Sequence, residues 1–279
     1  MSVLNRKEVE TRIRAGKTLQ TIDLQGLSLY GANLEGAVMV KCNLKGANLA
    51  ATNMNCAKLS ECDFTGANFR EAKMQEALLS QTELTDADFT DAVLVEASFK
   101  NARMERTLFQ GANLTSSFLV EVRSYMTDFS GAKLSQAYFN GSSMVLSIFD
   151  DCTGDMLRAI QADFTGSSMR RISLDRAVLL GANFSLTDLG DAMLRGCPLK
   201  HANFCASDLR GAVMTKSNME NSHWFRVNAE GTQMTGVNLR GANLMEGNFR
   251  QANFDQAFLE DTVTDDADFE GASFAEAKR

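Results

Sequence analysis

Catalysis needs nucleophiles, bases or metal ligands at workable spacing, and this chain of 279 residues offers few. It has two histidines, six cysteines and 35 carboxylates. His201 follows Lys200 and His223 precedes Trp224; neither sits at a metal-ligand spacing, and both read as exposed polar residues. The cysteines include no CxxC pair. Cys42, Cys62, Cys152 and Cys197 stand where Ala, Ser or Thr otherwise stands in a short repeat, and read as small core residues. Cys42 and Cys62 are 20 residues apart, which leaves a bridge between them as the alternative. The glycines keep an interval of five and form neither GxGxxG nor a phosphate loop. The expectation is no catalytic residue, no metal, no cofactor, and no enzyme.

Whatever these side chains do, one periodicity positions them. From Leu24 to Phe274 a large apolar residue recurs every five, and 45 of the 51 positions are Leu, Phe or Met. The exceptions are Ser124, Gly154, Ala159, Trp224, Ala229 and Thr264. Five is neither the helix period of about 3.6 nor the strand period of about 2. Two residues before each centre stands a small one (Ala32, Ala37, Cys42, Ala47), usually with Asn or Asp between, as in Ala32-Asn33-Leu34 and Ala87-Asp88-Phe89.

This pattern, A(D/N)LXX, resembles the pentapeptide-repeat family over about nine-tenths of the chain, a fraction that repeat architecture makes decisive. The resemblance implies an all-β fold: a right-handed quadrilateral parallel β-helix, one pentad per side and four per coil, with centre and small residue both inward. Fifty-one pentads would make about 13 coils, roughly 60 Å at the inter-strand spacing. On such a convex surface hydroxyls and carboxylates form ladders rather than a pocket. The expected domains are residues 1–20, a capping helix and lead-in; 21–276, the β-helix; and 277–279, a tail. Asn5 and Glu8 spell a capping box, Leu4 and Val9 a hydrophobic staple, and Gly16 a helix end, so a helix is expected over Asn5–Ala15.

The pattern loosens at Val120–Met126, Ser147–Gln161 and Ser222–Gly231. For Asp151–Ile160 two readings stand: repacking of a narrow core, or a protruding loop in which Met156-Leu157-Arg158 makes a helical turn. The charge is -7, which disfavours direct nucleic-acid binding. No apolar run is long enough for a membrane helix, and the charged N-terminus lacks a signal-peptide core. The expectation is no membrane insertion and a cytoplasmic protein, with export without a signal peptide as the alternative; free buried thiols suit a reducing compartment.

Function should then lie on the surface. Thirteen of the 51 residues just before a centre are apolar or Pro, and seven share one face: Val38, Leu78, Phe118, Tyr138, Val178, Pro198 and Phe258. Just after the centre the same face adds Val40, Val120, Ile160 and Leu180. This apolar stripe is a candidate partner surface, most simply for a homodimer. Arg170, Arg171, Arg176, Arg195, Lys200 and Arg210 form a basic cluster, while Asp255, Glu260, Asp261, Asp265, Asp266, Asp268, Glu270 and Glu276 form an acidic tip.

The family resemblance brings a known role, DNA mimicry toward DNA gyrase or topoisomerase IV with protection against quinolones. B-DNA of about 60 Å presents roughly 35 negatives; this chain mixes 28 bases among its 35 acids, so only the acidic tip could imitate DNA. The lead-in Arg12–Leu19 resembles that of repeats in bacterial proteins linked to type VI secretion, and secreted effectors use this fold as well. The preferred function is a non-catalytic protein-binding scaffold linked to secretion machinery or an effector; the alternative is a gyrase-interacting DNA mimic.

Overall fold

The computed structural model describes residues 4–279. The chain divides into two compact units, Met1–Tyr138 and Phe139–Arg279, each built from the same local structure. One pentad shows the logic. Ala32 and Leu34 are buried, and Asn33, between them, faces out. Leu34 N donates to Asn53 O at 2.7 Å, and Asn53 N donates to Ala32 O at 3.0 Å, pairing Asn33 with Asn53 in parallel. Ala37 N then donates back to Leu34 O at 3.0 Å and closes a turn with Gly36 at φ +64°. With Gly36 N donating to Asn55 O at 2.9 Å, each side carries only three backbone bonds to the next turn before the chain bends again. The named strands are therefore short: β1 Leu19–Gln20, β2 Met39–Val40, β3 Arg103–Glu105, β4 Arg123–Tyr125 and β5 Ser143–Val145.

Partners in these ladders lie 20 residues apart, so four pentads close one turn. Every fifth residue from Gly16 to Glu276 has positive φ, and 36 of these residues are not glycine. Left-handed backbone disfavours an L residue by roughly 1–2 kcal/mol. The closing bond of each turn and the ladder on either side hold it there.

In the first unit, α1 spans Arg6–Arg14. The Asn5 side chain accepts from Glu8 N, and the Glu8 carboxylate accepts from Asn5 N, the expected capping box. Gly16 N donates to Ile13 O and Lys17 N to Arg12 O, which is a Schellman ending. Leu4 and Val9 are buried, and Arg6 donates to the Tyr30 carbonyl at 2.9 Å. Phe69, Phe89, Phe109 and Phe129 stack down the core at 4.4–5.0 Å, since identical positions fall one strand spacing apart. Val120–Met126 stays on the ladder: β4 pairs with β3, and the polar centre Ser124 donates to Thr127 Oγ1 at 2.7 Å.

In the second unit, Asp151–Ile160 is repacked core and not a loop. Thr153 pairs with Ser173 and Arg158 with Val178. The helical turn of the alternative reading, at Met156-Leu157-Arg158, does not form, because Leu157 is buried at the small inward position. Gly154 and Ala159, the two weak centres, flank it. A Cβ on Gly154 would lie 2.8 Å from Leu174 Cδ2 and 3.4 Å from Leu157 Cδ1, so large and small have exchanged places. The same compensation occurs at Trp224, wholly buried, whose next centre is Ala229. Trp224 Nε1 donates to Ser222 Oγ at 2.7 Å, which satisfies the one polar atom that this ring brings inside.

Candidate functional site

In the first unit the expected face is one hydrogen-bonded column: Val38, Lys58, Leu78, Ser98, Phe118, Tyr138. Lys58 and Ser98 interrupt it, so its apolar residues meet only at the end. There Phe118 and Tyr138 stack at 5.0 Å and 13° between planes, with Phe118 41% and Leu78 39% exposed. Val38, Val40, Val120 and Tyr138 are half-buried. In the second unit Val178 lies between Arg158, its ladder partner, and Pro198, whose carbonyl accepts from Leu179 N. Ile160 and Leu180 fall on adjacent turns, linked by Gln161 N donating to Leu180 O. These four are half-buried, a flatter surface than the Phe118–Tyr138 slab.

Several strongly exposed apolar residues lie outside the apolar stripe. Met126 in the first unit, and Leu146 and Leu186 in the second, occupy the left-handed corner; Leu186 is 64% exposed. Tyr125 and Ile148 beside them are also exposed. The stripe is drawn from the two positions flanking each centre, so the series of apolar corner residues lies outside it. Taking every twentieth residue from 126 would have found that series, since Leu146 and Leu186 follow on that count.

Part of the charge is matched within each unit, although no ion pair among the described residues includes Arg176. Of the basic cluster, Arg170 pairs with Asp188, Arg171 with Asp151, Arg195 with Asp175, Lys200 with Glu220 and Arg210 with Asp208. The Arg171 guanidinium holds the Asp151 carboxyl below the usual range, and Lys200 does the same for Glu220. In the acidic stretch Glu260 pairs with Arg240, while Asp268 and Glu270 share Arg250. Asp255 accepts from the Ser273 hydroxyl and from Ala275 N, and Glu276 from Gln256. Among the described residues no cation pairs with Asp261, Asp265 or Asp266. A cavity of about 500 Å³ is lined there by Leu244, Leu259, Phe269, Phe274, Asp261 and Arg279.

His201 and His223 are exposed, His201 at a corner and His223 in a ladder between Asn203 and Asn243. Cys42, Cys62, Cys152 and Cys197 are buried, Cys56 is exposed and Cys205 is half-buried. Among the described residues no three His, Cys, Asp or Glu side chains are grouped to hold a metal, and no helix is long and apolar enough to cross a membrane.

Turns of four pentads, inward small and large residues and left-handed corners define a solenoid of five-residue repeats. The family model described as pentapeptide repeats (8 copies) matches residues 20–55, 28–66, 42–81, 62–101, 87–123, 109–144, 160–196, 187–223 and 225–261. The chain belongs to the pentapeptide-repeat family, whose members fold as right-handed quadrilateral β-helices. The stretches left unmatched inside that span hold the Gly154–Leu157–Ala159 exchange and Trp224, where the centres depart from the repeat. No curated protein matches the chain. Similar solved structures include HetL from the cyanobacterium Nostoc, a pentapeptide repeat protein involved in heterocyst differentiation regulation. It is 25% identical, with 97% of each chain covered and a TM-score of 0.25. Another is a trypsin-treated variant of QnrB1, a plasmid-mediated fluoroquinolone resistance protein, 16% identical, covering 89% of this chain and 92% of that one at a TM-score of 0.35.

Proposed function

We propose that the protein is a non-catalytic protein-binding scaffold and that its first unit joins a second copy through the Phe118–Tyr138 face. The observation that carries this reading is the stacked, half-exposed aromatic pair, continued by Val120 on the same face. Aromatic rings held rigid by their neighbours lose little entropy on binding and dominate interface energetics. A two-fold dimer would set the slab against itself. Val38, Val40 and Leu78 would extend that contact, and Ile160, Val178, Leu180 and Pro198 would offer the second unit's flatter one. Static light scattering on Phe118→Asp/Tyr138→Asp tests it.

We further infer that α1 caps the first turn, that residues 21–276 form one repeat domain of about 13 turns at four pentads each, and that the protein works in the cytoplasm beside secretion machinery or as an effector. The competing role is gyrase-directed DNA mimicry by the acidic tip. Against it stands the matching of Glu260, Asp268 and Glu270 by Arg240 and Arg250. Asp261, Asp265 and Asp266 are the acids left for such a partner. A supercoiling assay with purified gyrase separates the two roles: inhibition or quinolone protection at micromolar protein would favour mimicry.

A further inference from the structure

Cys42 and Cys62 occupy the same inward position on successive turns of the first unit, and both are about 1% exposed. No other cysteine has a cysteine 20 residues away: Cys197 falls between Ala177 and Ser217, Cys56 between Gly36 and Glu76, and Cys152 precedes Ile172 by one turn. Cys42 N donates to Cys62 Sγ at 3.4 Å. The Cys42 thiol donates to Leu19 O at 3.3 Å and the Cys62 thiol to Met39 O at 3.5 Å, so both sulfurs point the same way along the turns. In a stacked ladder their Cα atoms lie about one strand spacing apart, roughly 4.8 Å. That falls inside the window of about 4.4–6.8 Å that a disulfide accepts.

The two thiols are shifted in opposite directions. A hydrogen bond from Cys62 draws the Cys42 thiol below the ordinary range, and the same bond, with burial, pushes Cys62 up. Cys197, without a thiol neighbour, is pushed up to about 12 by burial. Above Cys42 lies β1, a two-residue strand whose register with β2 is Leu19–Met39 and Gln20–Val40. Short peripheral segments of this kind open locally. Lifting it removes the Leu19 carbonyl from Cys42 Sγ.

We propose that Cys42 and Cys62 are a redox-active dithiol that a peroxide closes into a disulfide between successive turns of the first unit. The Cys42 thiolate attacks the O–O bond of hydrogen peroxide; an S–O bond forms, and hydroxide leaves and is protonated to water. Cys62 Sγ then attacks the sulfenic sulfur of Cys42; the S–S bond forms, the S–O bond breaks, and the departing hydroxide takes the Cys62 proton as a second water. Two thiols lose two electrons and two protons, and one peroxide is reduced to two waters.

The full chain treated with hydrogen peroxide and analysed by intact-mass spectrometry should lose the mass of two hydrogen atoms. Non-reducing peptide mapping should find Cys42 joined to Cys62. Cys62→Ala, which places there the residue that the same column carries at Ala102, should lose the bridge and trap a sulfenic adduct at Cys42. The proposal is overturned if oxidised protein, unfolded and alkylated, shows both Cys42 and Cys62 still as thiols while Cys56 or Cys205 carries the oxidation. It is equally overturned if Cys42 is joined to a cysteine other than Cys62.

Discussion

A buried hydroxyl at the small inward position has two carbonyls within reach. Thr52 and Ser207 donate three residues back, to Leu49 O at 2.6 Å and Phe204 O at 2.7 Å. Thr127 and Thr187 donate one turn further back, to Met104 O at 2.8 Å and Phe164 O at 3.0 Å. Ser117 Oγ does neither; it is buried with no partner among the described residues. An unmade buried hydrogen bond leaves the desolvation penalty standing, about 1–3 kcal/mol. Ser117→Ala should therefore stabilise the protein by about 1 kcal/mol in chemical denaturation, and a loss of stability would show that the hydroxyl has a partner. The sequence made the small inward column legible, Ser117 included, because Ala is its usual occupant. It could not show which carbonyl each hydroxyl uses, since one of them belongs to the preceding turn. Nor could it show that Leu157 and Gly154 had exchanged sizes, because volume is balanced across neighbouring sides and not within one pentad.

The element of this fold is the turn at each corner, and glycine has value there only through its backbone. Gly31 sits at φ +64° with open space where a Cβ would go, so substitution adds backbone strain and no clash. Gly31→Ala should cost about 1 kcal/mol, read as a lower midpoint in denaturant at unchanged slope. No change would mean that the ladder absorbs the strain without penalty. The corners also explain the largest gap in the sequence reading. Turn position and fold class follow from the five-residue interval, but the exposure of Met126, Leu146 and Leu186 depends on side chains leaving a left-handed backbone. The capping box of α1 was legible because it is local; both of its hydrogen bonds lie within four consecutive residues.

At the scale of the whole molecule, acids and bases are interleaved, and acid should weaken it. The Asp86 carboxyl is held below its usual range by Arg106, Asp151 by Arg171 and Glu260 by Arg240. Burial acts to raise Asp63, but the Thr65 hydroxyl and amide together with Lys45 outweigh it, and Asp63 too is lowered. A carboxyl with a depressed folded pKa stabilises the protein above its unfolded value and loses that contribution as pH falls through the folded one. The melting temperature should be level above about pH 5 and fall steadily from about pH 4 toward 2; a level profile throughout would contradict the matched-charge description. The central claim concerns the surface of the first unit, and light scattering tests it most directly. Wild-type protein should have the mass of two chains, and Phe118→Asp/Tyr138→Asp the mass of one with an unchanged circular dichroism spectrum. A double variant that keeps the wild-type mass would contradict the proposed contact.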